Sequence, residues 1–163
     1  KYMLTSFHGD TNGLATIPVT TAVHNTKSSH FADHALIFGL DANTYEHSTP
    51  GKTQDVLEFA EAYVEMGLTS CWGDTPDPTQ HTTYSARTFL QPQLNKAAKK
   101  DELVAKGDVN PKDFILFYPY DFVPTFVGKD NTGHKKFTEG MVFPTLEFPS
   151  DHGILRSTLR YSN

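Results

Sequence analysis

The chain has 163 residues and a net charge of −5, from 19 Asp and Glu against 14 Lys and Arg. That length suits one globular domain burying about 70% of its unfolded surface, and twelve Phe and seven Tyr supply large side chains for its core. No apolar run approaches the ~20 residues that cross a bilayer, the acidic balance argues against a general nucleic-acid coat, and a lone cysteine, Cys71, excludes an internal disulfide.

The chain opens Lys1-Tyr2-Met3-Leu4, with neither an initiator Met nor the charged-then-apolar layout of a signal peptide. Residues 2–8 mix apolar and small polar side chains and end at Gly9, which predicts a strand at the very start. A domain starting on a buried strand is expected to be a piece of a longer product. Gly9-Asp10-Thr11-Asn12-Gly13 is a turn-rich loop. A helix is expected over about residues 15–28, with Pro18 in its first turn, where a missing N–H costs little. His34 to Leu40 is an almost unbroken apolar run, the pattern of a central strand covered on both faces. Asp41-Ala42-Asn43 falls where that strand ends.

Thr53 is the expected N-cap of a second helix. Val56, Ala60, Tyr63, Val64 and Gly67 form one face, and Asp55, Glu58, Glu61 and Glu65 the other. Residues 68–92 are polar and irregular, and a loop that long in a small domain is often functional. A short Lys-rich helix is expected over 94–106. Phe114 to Tyr118 reads as a second buried strand, with 121–127 able to pair with it. Residues 128–140, rich in Gly, Lys and Asp, read as a solvated loop, and Gly153 to Tyr161 as the last strand. Strands alternating with helices indicate an α/β layered fold.

Polar residues gather beside these hydrophobic runs: His8, then Asp41 and Asn43, then Asp113, then Asp151 and His152. Carboxylates bind Mg²⁺ through oxygen. A carboxylate or imidazole can activate water, and a second carboxylate can orient the imidazole. The set therefore points to metal-assisted phosphoryl hydrolysis. Taken singly, each motif has a plainer meaning. Asp-x-Asn after a strand is a turn signal, and His8 or Asp113 alone would be a structural or exposed residue.

Together, Ser6-Phe7-His8, Gly39-Leu40-Asp41-Ala42-Asn43, Lys112-Asp113-Phe114-Ile115 and Pro149-Ser150-Asp151-His152-Gly153 resemble, in order, the C-terminal half of the endonuclease/exonuclease/phosphatase family, the deoxyribonuclease I-like fold. The resemblance runs from residue 1 to 161. It implies half of a four-layer α/β/β/α sandwich, with residues 1–163 forming the C-terminal half of one domain. The activity implied is metal-dependent phosphoester hydrolysis with Mg²⁺, or Mn²⁺ in its place. By the same resemblance, Asp41 would orient or deprotonate the attacking water and Asn43 would bind a phosphoryl oxygen. Asp151 would complete the metal site. His152, held by Asp113, would be the base or a phosphate contact, and His8 would stabilise the charged phosphorus. Asp41 and His152 share the base role at this level.

Two substrate contacts are weaker expectations: Asn12 in the loop beside His8, and Arg87, whose guanidinium suits phosphate. The family's metal-binding Glu and its first-strand Asn precede the His motif, and this chain has no counterpart of either. The resemblance thus implies a second chain carrying the N-terminal half, with a nucleic acid, nucleotide or phospholipid headgroup as phosphoester substrate. The inositol polyphosphate 5-phosphatase context around Asp113 is absent. The competing expectation is a non-catalytic binding or structural subunit using the same fold.

Overall fold

A computed structural model describes residues 1–85 and 107–162. The described elements are β1 (Tyr2–His8), α1 (Thr16–His30), β2 (Ala35–Asp41), α2 (Val56–Glu65), β3 (Thr69–Ser70), β4 (Asp113–Phe117), β5 (Phe122–Asp130) and β6 (Ile154–Tyr161). The expected helix over 94–106, and Arg87, lie outside the described residues.

The apolar run of β2 becomes the centre of a four-stranded sheet ordered β1-β2-β4-β3. β1 and β2 are parallel and joined through α1, as parallel pairing requires. β4 runs antiparallel to β2, so the two apolar runs read from the sequence are direct neighbours. Alternation then divides β2 between two faces. Leu36, Phe38 and Leu40 meet α1 and α2 in one core with Phe59, Tyr63, Phe114 and Leu116. Ala35 and Ile37 face the other way, towards Ile115, Phe117 and Phe122.

That second face is covered by an antiparallel β5–β6 pair, a separate two-stranded sheet. This corrects the expectation that 121–127 pair with β4. The amides of Asp121 and Phe122 both donate to the Tyr118 carbonyl, which turns the chain off the first sheet. Phe122 then packs edge-on against Phe117, with ring centroids 6.3 Å apart. Strand β5 also runs on to Asp130, beyond the expected start of the loop. The loop after it is organised by the Asp130 carboxylate, which accepts from the amides of Thr132, Gly133 and Lys135.

The helices hold two more differences. The cap of α2 is Asp55, whose carboxylate accepts from the Leu57 and Glu58 amides, and not Thr53. Its buried face is Val56, Phe59, Ala60 and Tyr63, with Val64 turned towards solvent. In α1 the buried stripe is Thr16, Thr20, Val23 and Lys27. The Thr16 hydroxyl donates to the Ala42 carbonyl and Lys27 Nζ to the Ala32 carbonyl, so both ends of this stripe are satisfied where they are buried, while the Thr20 hydroxyl between them has no partner among the described residues. The chain is thus a mixed α/β domain with two sheets and two helices among the described residues. No described helix is long and apolar enough to cross a membrane.

Candidate active site

Strand register builds most of the site. His8 is the partner of Asp41 across β1–β2, and Asp41 is the partner of Asp113 across β2–β4. Partners in register point to the same face, so one row of a sheet presents an imidazole and two carboxylates. The row lies at the end of the face covered by the β5–β6 sheet. His152 arrives from that second sheet, just before β6. The site therefore sits between the two sheets. A groove of about 410 Å³ runs from Asp41 and Asp113 past Ser6, Gly39, Ile115 and Leu155.

His152 Nδ1 lies 2.9 Å from Asp113 Oδ2. Its Nε2 lies 3.6 Å from Asp41 Oδ2, and His8 Nδ1 is also 3.6 Å from that oxygen. Burial opposes charge on His152, but the hydrogen bond it donates to Asp113 and the charges of Asp113 and Asp41 outweigh it and hold the imidazole up at about 9. Burial pushes the Asp41 carboxyl up, against the opposing pull of His152. The imidazole thus holds its proton more tightly than a free histidine, and the Asp41 carboxylate is a stronger base than a free aspartate.

Asn43 follows the strand in a left-handed conformation, φ 47°, which Asn tolerates better than most residues. Its amide N–H and its Nδ2 both donate to the Asp41 carboxylate, at 2.9 and 3.0 Å. Nδ2 also donates to the Gly9 carbonyl at 3.0 Å, and Oδ1 accepts from Lys112 Nζ at 2.8 Å. Both polar atoms of its side chain are engaged by the protein. Asn43 thus fixes the Asp41 carboxylate and, so engaged, presents no free donor to a phosphoryl oxygen.

His8, Asp41, Asn43, Asp113 and His152 therefore come together, though His8 is largely solvent-exposed. Asp151 does not join the close group. Among the described residues, the one set of three candidate ligands within 4.8 Å of each other is Asp41, Asp113 and His152, and Asp151 is exposed beside it. Asn12 is exposed, and what it offers the fold is its carbonyl, which accepts from the Gln54 amide.

Mg²⁺ takes oxygen ligands in near-octahedral geometry. Here Asp113 hydrogen-bonds His152 and the Asp41 carboxylate accepts from Asn43, so the three-member group, whose ligand atoms also lie close enough to hold a metal ion, is arranged for proton transfer.

Several supports had no sequence signal. The Thr82 hydroxyl accepts from the amides of Lys112 and Asp113, at 2.9 and 3.1 Å. Trp72 Nε1 donates to the Asp113 carbonyl at 2.9 Å. Lys112 is buried, which a lysine rarely is without a partner. A better signal was present at Gly13: φ is 71°, and a Cβ there would stand 2.4 Å from the Asn43 carbonyl oxygen. The glycines of the first loop let it close over the Asp41–Asn43 turn. No family model and no curated protein sequence matches this chain.

Proposed function

We propose that this chain is the C-terminal half of a deoxyribonuclease I-like, metal-dependent phosphoester hydrolase. The observation that carries the proposal is the Asp113–His152–Asp41 arrangement, held between two sheets by residues that lie far apart in sequence. In this reading Asp41 accepts the proton of the attacking water, with Asn43 holding its carboxylate still. The His152 imidazolium, fixed by Asp113, faces the charge that develops on phosphorus, where a positioned cation is most effective. His8 stands at the solvent side of the same pocket.

Mg²⁺ or Mn²⁺ would take Asp151 from this chain and its other oxygen ligands from the complementary N-terminal half. That half would complete the four-layer sandwich by joining the β5–β6 sheet. Exposed Tyr2, Leu4, Ile154 and Tyr161 favour such a partner, with Leu4 74% accessible. Leaving side chains of that size in water forgoes about 1.5–3 kcal/mol each. A nucleic acid, a nucleotide or a phospholipid headgroup would supply the phosphoester.

A second reading, a binding subunit without catalysis, is favoured by one observation: the side-chain amide of Asn43 is satisfied internally. Hydrolysis of a generic phosphodiester by the native protein separates the two. Turnover with Mg²⁺ or Mn²⁺ that EDTA abolishes supports the hydrolase. Absence of turnover with a bound partner half in place supports the binding subunit.

A further inference from the structure

Lys112 is 3% exposed, and its side chain ends among the polar groups behind Asp41 rather than in solvent. Nζ donates to Asn43 Oδ1 at 2.8 Å and pairs with Asp108 Oδ2 at 2.7 Å. It also stands 5.1 Å from the centre of the Tyr45 ring. The backbone of the same residue is tied on both sides. Its carbonyl accepts from the Ala42 amide at 2.7 Å, and its own amide donates to the Thr82 hydroxyl at 2.9 Å.

We propose that Lys112 is a positioning residue that orients the Asn43 amide and, through it, the carboxylate of Asp41. This inference rests on the hydrolase reading for its catalytic consequence.

An asparagine amide has two ends of similar shape and opposite polarity. An ammonium has donors only, so it accepts one end of Asn43 and rejects the other. With Oδ1 on Lys112, Nδ2 must face Gly9 O and Asp41 Oδ2, each 3.0 Å away. The flipped amide would set NH₂ against the ammonium and an oxygen against two acceptors, so every contact would become repulsive. Burying a cation is costly unless it is paired and hydrogen-bonded. A core position with no such task is better filled by Leu or Met. Asp108 supplies the compensating charge from a more exposed position, with 39% of its side chain accessible. The cation is thereby kept in place without being drawn away from Asn43.

The test uses Lys112→Met, Lys112→Arg and Asp108→Asn, read in two ways. The first is the NMR signature of the Asn43 side-chain amide in the 163-residue chain, which needs no activity. Lys112→Met should move both Asn43 amide protons towards free-amide shifts and speed their exchange with solvent. Lys112→Arg should keep them near the native positions. Asp108→Asn should lower stability yet leave the Asn43 signature in place. The second readout is the pH profile of the native hydrolase. Lys112→Met should lower kcat roughly tenfold to a hundredfold, as loss of a supporting contact does, with KM unchanged and the acidic limb displaced upwards. Lys112→Arg should recover most of the loss.

A folded Lys112→Met protein with native Asn43 signals would overturn the inference. If that variant does not fold, Asp108→Asn decides: loss of the Asn43 signature there would show the lysine serving only its ion pair, and overturn the inference. Should the native protein hydrolyse no phosphoester, the hydrolase reading falls, while the amide signals still decide what Lys112 does.

Discussion

Asp113 and His152 stand 39 residues apart in sequence and 2.9 Å apart in space. The contact joins the two sheets. Asp113 is placed by β4 in the first, and His152 by the approach to β6 of the second. It raises the folded-state pKa of His152 to about 9.

The sign of that shift fixes a stability prediction. A histidine whose pKa is raised on folding stabilises the protein fully below the unfolded value near 6.5, and the contribution fades as pH rises through about 9. Histidine NMR titration should place His152 near the upper value. Asp113→Asn should lower it and cost about 1.5–3 kcal/mol at pH 6, the range for a hydrogen bond to a charged group. The cost should shrink by pH 10, and equal destabilisation at both pH values would contradict the assignment.

The first loop gives a second prediction. Gly13→Ala forces a side chain onto φ 71° and into the Asn43 carbonyl. It should destabilise by about 1–3 kcal/mol and shift the Asn43 resonances. By contrast, a Cβ at Gly39 meets nothing within 4 Å. Gly39→Ala should leave the melting temperature of the isolated chain nearly unchanged. Comparable losses at the two glycines would refute the claim that Gly13, unlike Gly39, is required by a close approach.

Gly39 also lines the groove between the sheets. Filling it with Gly39→Trp should leave this chain folded, yet weaken its association with the proposed complementary half. Size-exclusion chromatography with light scattering reads this directly. A native preparation that remains a stable, monodisperse single copy of this chain, while fully active, would exclude the two-chain arrangement.

What the sequence made legible follows from pattern strength. β2 and β4 stand out as apolar runs because both of their faces are covered, and that neighbourhood brings Asp41 opposite Asp113. The partnership of β5 with β6 was not legible. It turns on the Tyr118–Phe122 reversal, and an apolar strand does not announce which sheet it joins. α1 was found but its core face was not, since that face carries the polar residues Thr16, Thr20 and Lys27, of which Thr16 and Lys27 are buried with hydrogen bonds instead of by apolar character. Lys112 escaped for the same reason: a buried lysine adjoining Asp113 looks like a surface residue until its partners are seen. The site motifs were legible because strand ends recur beside apolar runs. That Asp151 stands outside the close group depends on the local path of Ser150–His152, where the His152 amide bonds back to the Ser150 hydroxyl.

Asp151→Ala bears on the metal. On the proposed function, Asp151→Ala should abolish metal-dependent turnover while any assembly with the proposed N-terminal half and the Asp113–His152 contact are retained. Normal turnover in that variant would show that the metal takes no ligand from Asp151.

The most direct test of the central claim is kcat for a generic phosphodiester, with Mg²⁺ present, for the native protein and its Asp41→Asn variant. The carboxamide keeps the shape of the side chain and removes the proton acceptor. Loss of a general base should lower kcat by at least about a hundredfold, with the fold and the Asp113–His152 contact preserved. Native turnover that Asp41→Asn leaves unchanged would contradict the account.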